Sequence, residues 1–325
     1  MEKAQKHSKD APRIVIQSQQ KKLYETLHQF IATQDVTRGS KITYKNALNQ
    51  FFSWFIENED PNPSRETILA FKENLDLKGL RPATRASYLV AVRKFFEWTE
   101  TLKLYPNIAK GIKGARRQQK HHQKDALTIA QIKAILAIID RTKLQGKRDY
   151  ALINLLLRTG MRLIEAVRAD YGDLDLQGDD ALLWVRGKGR DGKDECVVLA
   201  PEALQPLLGY LRCRKKLKSP QDPLFGSVSD RNYDKRMTTF SLSRIIKRYL
   251  RKAGIDNKRI TAHSLRHTFG VLSIKAGASL YEVQLAMRHT NPGTTEIYLG
   301  DIERQKRLEG APEKKISSLL AQEGV

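Results

Sequence analysis

The sequence is poor in the features that mark several large protein classes. It has 2 cysteines in 325 residues, Cys196 and Cys213. Two thiols supply neither a four-thiolate zinc site nor a disulfide framework. No apolar run approaches the ~18 residues that a membrane-spanning helix needs. The first twenty residues are polar and lack the apolar core of a secretory signal. Acidic residues are scarce relative to basic ones, 36 Asp and Glu against 58 Lys and Arg, for a formal net charge of +22. Such an imbalance argues against an ordinary small-metabolite enzyme and for a polyanionic partner. A hydrophobic share of 40% and a charged share of 29% describe a globular chain. At ~150 residues per domain the length suggests two domains. A cytoplasmic protein working on nucleic acid is therefore the leading class.

The chain reads as mainly α with a small antiparallel β-sheet. Residues 1–18 are polar and are expected to be disordered. Over 19–110 the text is helical. Leu23, Leu27, Phe30 and Ile31 fall on one face of a first helix. A second runs from about Ser40 to Asn58, a third from about Arg65 to Leu75 after a Ser64 cap, and a fourth from about Pro82 to Leu102. The second and fourth share a pattern: Thr43-Tyr44-x-x-Ala47-Leu48-x-x-Phe51-Phe52-x-Trp54 matches Ser87-Tyr88-x-x-Ala91-Val92-x-x-Phe95-Phe96-x-Trp98. These aromatics are expected to pack together as core rather than to stack on bases. Lys41, Lys45, Arg81, Arg85, Arg93 and Lys94, on other faces of the same helices, are candidates for phosphate contact. Residues 111–125 form a basic linker containing Lys113, Arg116, Arg117, Lys120 and Lys124. Its composition suits a connector lying along a phosphate backbone, with Arg116 and Arg117 as DNA contacts.

Residues 126–325 mix helices with two β-like runs, Leu182–Val185 and Cys196–Leu199, around the turn-rich insert Gly187-Lys188-Gly189-Arg190-Asp191-Gly192-Lys193. Thr128-x-x-Gln131 and Ser279-x-x-Glu282 are capping boxes. A very apolar helix ends at Gly160. Five local patterns follow one another: Thr159-Gly160-Met161-Arg162-x-x-Glu165, Gly187-Lys188-Gly189, His263-x-x-Arg266, His289 and Tyr298. Each alone is a common accident of sequence.

In this order and spacing they resemble the tyrosine recombinase, or phage integrase, family over about Leu127–Gly300. The helical front resembles that family's core-binding domain. The resemblance implies a catalytic set of Tyr298, Arg162, Lys188, His263, Arg266 and His289. Two departures are visible: Met287-Arg288 stand where the family usually carries Leu-Gly, and the hairpin loop carries Asp191, Asp194 and Glu195 where the family is commonly more basic.

The implied reaction is attack of a tyrosine oxygen on a DNA phosphodiester, giving a 3′-phosphotyrosyl link and a free 5′-hydroxyl. Two guanidiniums suit the non-bridging oxygens, because their forked donors match a charged phosphoryl group; these would be Arg162 and Arg266. An unperturbed phenol titrates near ~10, so Tyr298 needs a proton acceptor, for which His263 is the first choice. Lys188 would protonate the leaving oxygen, and His289 would donate to a phosphate oxygen. The six side chains should converge on one phosphorus, with the phenol aimed in line. Glu165 either orients Arg162 or is a plain ion-pair partner.

No metal or cofactor is expected: the sequence has neither a P-loop nor the carboxylate cluster of a two-metal nuclease. By resemblance the partners are double-stranded DNA and three further copies of the chain, forming a homotetramer on two recombination sites with exchange through a Holliday junction. Free in solution, a monomer or weak oligomer is expected. A stripe of Ile316, Leu319 and Leu320 after a Gly310-Ala311-Pro312 break marks a tail helix packed either within the chain or on a neighbouring subunit. Relaxation of DNA in the manner of a type IB topoisomerase, and non-catalytic DNA binding, stay open as alternatives. So do the target site, any accessory proteins, and the choice between a Xer-like resolvase and a mobile-element integrase.

Overall fold

A computed structural model of the chain describes residues 11–58, 63–114, 124–187, 192–215, 217–298, 300, 302 and 311–322. Lys188, Arg116, Arg117 and Lys120 lie outside these residues, as do residues 1–10. The chain divides into two compact units, 1–118 and 119–325.

The front unit holds four helices: α1 (Ala11–Thr33), α2 (Arg38–Glu57), α3 (Arg65–Leu77) and α4 (Pro82–Thr101). Helix α1 begins at Ala11, so residues 11–18 of the segment expected to be disordered are helical, while residues 1–10 lie outside the described residues. Once Leu27 and Phe30 are anchored in the core, each residue added to the same helix costs only propagation, not a new nucleus. Pro12 also suits a first turn. The cap of α2 is Thr37 rather than Ser40; the Thr37 hydroxyl accepts from Ser40 N–H at 3.3 Å. The repeated aromatic pattern on α2 and α4 is core, as its spacing predicts. Phe51 meets Phe71 edge-on at 5.0 Å, and Phe52 meets Phe95 at 5.2 Å. Such pairs add ~0.5–1.5 kcal/mol beyond burial alone.

Residues 115–123 of the expected linker lie outside the described residues. Ile112 is buried in the front core, because an apolar side chain next to a core stays with it despite flanking glycines. At the far end Asp125 pairs with Arg259 at 2.7 Å, within the rear unit.

The rear unit contains α5 (Ile129–Ala137), α6 (Leu144–Thr159), α7 (Leu163–Arg168), a three-stranded antiparallel sheet, α8 (Pro201–Leu211), α9 (Thr239–Lys252), α10 (Ala262–Lys275), α11 (Leu280–Met287), α12 (293–298) and α13 (Pro312–Gln322). The strands are β1 (Leu174–Asp175), β2 (Leu182–Val185) and β3 (Glu195–Val198), in that order. Leu183 faces Val197 and Trp184 faces Cys196. Leu183 and Val185 point into the core while Trp184 points outward, the period of two that a half-buried strand requires. Two residues are too few to reveal that period, so β1 was not foreseen. The α6 helix runs through the main core with Leu152, Ile153, Leu155 and Leu156 buried. Buried Asp149 on α6 takes Arg148 at 2.7 Å and Arg248 of α9 at 2.8 Å. No helix among the described residues is long and apolar enough to cross a membrane.

Candidate active site

The site is assembled from three helix ends in the rear unit. The first is the stop of α6. Gly160 adopts the left-handed conformation with φ +59°, and a Cβ there would stand 2.3 Å from Phe269 Cδ1. Glycine is required by both the backbone and the close approach. Gly160→Ala should cost ~1 kcal/mol for the left-handed backbone and a further ~1–3 kcal/mol for overpacking. Urea unfolding of the variant measures this, and an unchanged midpoint would contradict the packing.

Two residues later Arg162 caps α7. Its backbone N–H donates to Glu165 Oε2 at 2.7 Å, and its Nη1 donates to Glu165 Oε1 at 2.8 Å. Glu165 is fully buried. Burial alone would raise its pKa, but Arg288 and Arg162 hold it below the usual carboxylate range. The carboxylate therefore orients Arg162 as well as neutralising charge.

The second helix end is the start of α10. Thr261 and Ser264 cap it reciprocally, placing His263 in the first turn and Arg266 one turn on. Arg266 is buried. Its Nη1 donates to the Gly160 carbonyl at 2.5 Å and its Nη2 to the Met287 carbonyl. Burial, followed by the neighbouring charge of Arg162, lowers its pKa to about 10, so the guanidinium stays charged at neutral pH.

The third is the end of α11, which starts at the foreseen Ser279–Glu282 capping box. It stops at Arg288, a non-glycine residue at φ +53°. That conformation costs a residue with a Cβ ~1–2 kcal/mol. The Arg288 carbonyl accepts Arg162 Nη2 at 2.7 Å. Consecutive carbonyls at the end of α11 thus hold the two arginines that the sequence selects.

His289 follows directly. Its Nδ1 lies 2.9 Å from Thr295 Oγ1 on α12. Burial, then the charges of Arg266, Arg162, Arg288 and His263, push its pKa down to about 3. The imidazole is neutral over the physiological range. Its ring stacks on Tyr298 with centroids 6.2 Å apart.

Tyr298 differs from expectation. Its ring is 2% exposed and packs among Val271, Val283 and Met287. The phenol was expected to aim in line at a phosphorus atom; in the free chain its ring is sheathed. It lies over Gly270 of α10, where a Cβ would come within 2.9 Å of Cζ. His267 stacks on it at 5.0 Å. His263, His267 and Gly270 share one face of α10 at i, i+4 and i+7. Tyr298 sits at the inner end of that face, while His263 is exposed at its start and lines a cavity of about 210 Å³ with Arg266. Arg266 interacts electrostatically with Tyr298.

The structure therefore brings Arg162, Arg266, His289 and Tyr298 together, with His263 at the margin. His267, Thr295 and Arg288 were missed. His267 stands beside a selected residue in the sequence, and Arg288 both adjoins His289 and stands at the departure from Leu-Gly; these are the signals that point to them.

The front-unit candidates divide by environment. Arg85 pairs with Asp76, and Lys94 pairs with Glu97 at 2.9 Å. Lys41 donates to the Ala32 carbonyl at 3.3 Å. Lys45 and Arg81 are exposed, and Arg93 is half-buried. In the rear unit a groove of about 750 Å³ is lined by Arg148, Arg244, Lys247, Arg248 and Arg251, a basic surface not singled out from sequence.

Residues 125–303, more than half of the chain, match the phage integrase family. This chain belongs to that family. It is 30% identical over 266 residues to the tyrosine recombinase XerC of Thermodesulfovibrio yellowstonii, covering 78% of this chain and 83% of the relative. To XerC of Herpetosiphon aurantiacus it is 29% identical over 288 residues, 85% and 90% of the two chains. In fold it is similar to the XerH site-specific recombinase bound to palindromic difH substrate in a post-cleavage complex, with TM-score 0.69 and 23% identity over 84% of this chain and 80% of that one. A lambda integrase dimer bound to a core site shares the fold at TM-score 0.62 and 15% identity, over 83% and 96%. The mainly helical integrase fold with its small sheet, and membership among the tyrosine-type site-specific recombinases, agree with the sequence reading.

Proposed function

We propose that this integrase-family chain cleaves and rejoins DNA with Tyr298 as nucleophile, Arg162 and Arg266 as binders of the non-bridging phosphate oxygens, and His289 as a neutral donor to the same phosphoryl group. The observation that carries this reading is the joint anchoring of Arg162 and Arg266 on the carbonyls of Arg288 and Met287, beside a neutral His289 stacked on a tyrosine ring. In the cleavage step Tyr298 Oη loses its proton and bonds to phosphorus. The bond from phosphorus to the 5′ oxygen breaks, and that oxygen takes a proton. Lys188, outside the described residues, is the assigned acid. His263 takes the phenol proton; His267, whose ring stacks on Tyr298 at 5.0 Å, presents a ring face rather than an in-plane lone pair to the phenol.

Because Tyr298 is buried in the free chain, cleavage requires α12 to move when DNA arrives. A sheathed nucleophile makes cutting conditional on assembly. The tail helix α13 presents Ile316, Leu319 and Leu320 to solvent, an apolar stripe suited to a neighbouring copy. That supports a homotetramer on two duplexes, exchange through a Holliday junction, and a monomer or weak oligomer off DNA. The net charge of +22 and the basic groove beside α9 support a duplex partner, reached in the cytoplasm at the nucleoid.

A nicked suicide duplex mixed with a second duplex tests the reading. A covalent adduct followed by recombinant product is expected. Adduct without recombinants, together with relaxation of a supercoiled plasmid in a parallel reaction, would indicate topoisomerase chemistry, and binding without adduct would indicate a non-catalytic regulator.

A further inference from the structure

Arg288 stands where the backbone favours glycine. Its φ of +53° and ψ of +51° lie in a region that residues with a Cβ avoid. Its side chain does not reach for solvent; it is 5% exposed. Nη2 donates to Glu165 Oε2 at 2.7 Å, and Nη1 donates to the Ala286 carbonyl at 2.7 Å, closing its own turn. Nε faces Glu195 Oε2 of β3 at 3.9 Å, beyond hydrogen-bond reach. Meanwhile the main-chain oxygens of Met287 and Arg288 hold Arg266 and Arg162.

We propose that Arg288 is a positioning residue for the phosphate site: it shares Glu165 with Arg162, so that Arg162 is left incompletely neutralised, and it clamps the turn whose carbonyls aim Arg162 and Arg266. This rests on the reading of those two arginines as phosphate binders. The charge count explains the arrangement. Arg162, Arg266 and Arg288 bring three positive charges to Glu165, with Glu195 more distant. A phosphodiester carries one negative charge and gains a second in its phosphorane. A site with surplus positive charge favours the second state over the first, which is what acceleration requires. Without Arg288, Glu165 turns its full charge on Arg162 and that surplus shrinks.

The groups facing His289 are the guanidiniums of Arg266, Arg162 and Arg288, the His263 imidazole, Thr295 Oγ1 and the Tyr298 ring. Arg288 is one of the charges that keep this ring unprotonated. Removing it raises the proton affinity of His289, so any inflection due to His289 moves to higher pH.

The test uses the full chain and single-turnover cleavage of a nicked suicide duplex at saturating DNA, followed across the titration range of histidine. Glycine fits the left-handed turn, so R288G removes the guanidinium without straining the backbone. The expected result is a rate ~10–100-fold lower, the usual cost of losing a group that supports a ligand-binding side chain. The acid-side inflection should shift upward and duplex affinity should stay close to that of the unaltered protein. R288K, which can reach Glu165 with a single ammonium, should fall between. An R288G protein with unaltered rate and pH profile would overturn the proposal. So would a rate loss that tracks only a smaller folded fraction while the profile stays in place. If the unaltered chain itself forms no adduct, the reaction assigned to the site fails instead, which separates the two readings.

Discussion

Tyr298→Phe should abolish the covalent protein–DNA adduct while leaving the gel-shift affinity for duplex nearly intact. The substitution removes one oxygen and keeps the ring. Because the ring packs among Val271, Val283 and Met287 and stacks on His267, phenylalanine preserves the contacts that hold α12 in place. Folding and binding are therefore expected to survive, and the chemistry alone is lost. No other group replaces a nucleophile that must itself become bonded to phosphorus. Adduct formation is read on denaturing gels after incubation with a nicked suicide duplex. An undiminished adduct in the variant would remove Tyr298 from the role.

Arg266→Ala should slow cleavage by ~10²–10³-fold, or ~2.7–4 kcal/mol, the scale for losing one fixed donor to developing charge. The effect should fall on the single-turnover rate at saturating DNA more than on binding, since the charge of the phosphoryl group grows toward the transition state. The residue is also structural, because its two nitrogens satisfy the carbonyls of Gly160 and Met287. Alanine would leave both buried acceptors without it. Arg266→Lys separates the two contributions. A lysine keeps the charge but presents one ammonium in place of a fork, and cannot reproduce both bonds with one fixed geometry. It should remain folded and still lose most of the rate. Thermal unfolding of both variants measures the structural part, and a lysine variant with the original rate would contradict a role for forked donors.

The buried state of Tyr298 gives these experiments a common setting. On the proposal that α12 moves when DNA arrives, both variants should be compared at saturating DNA rather than at limiting DNA. The neutral state of His289 belongs to the same setting. Burial first, then the guanidiniums of Arg266, Arg162 and Arg288 and the His263 ring, suppress its protonation. An incoming phosphate would partly cancel that field, and the ring would gain proton affinity as the substrate arrives.

Some of this was legible in sequence because it depends on local rules. Thr128 with Gln131 and Ser279 with Glu282 cap helices as their spacing requires. Gly160 stops α6, and the doubled Phe pattern of α2 and α4 becomes core. In each case the deciding partners lie within a few residues or repeat at a helical period. The resemblance picked out Arg162, Lys188, His263, Arg266, His289 and Tyr298 by their order, and the structure brings four of them, Arg162, Arg266, His289 and Tyr298, close together.

What only the tertiary structure decided involves partners far apart in the chain. Arg162 lies 126 positions from the carbonyl of Arg288 that holds it, and Arg266 lies 106 from that of Gly160. No sequence period encodes which carbonyl faces which guanidinium. The same holds for the sheathing of Tyr298 over Gly270, for the stacking of His267 on its ring, and for the burial of Arg288. The sequence alone determined which groups are present and which local turns form. Packing of three helix ends against one another determined which charges share a dry space, and Coulomb interactions grow strong only where water is excluded.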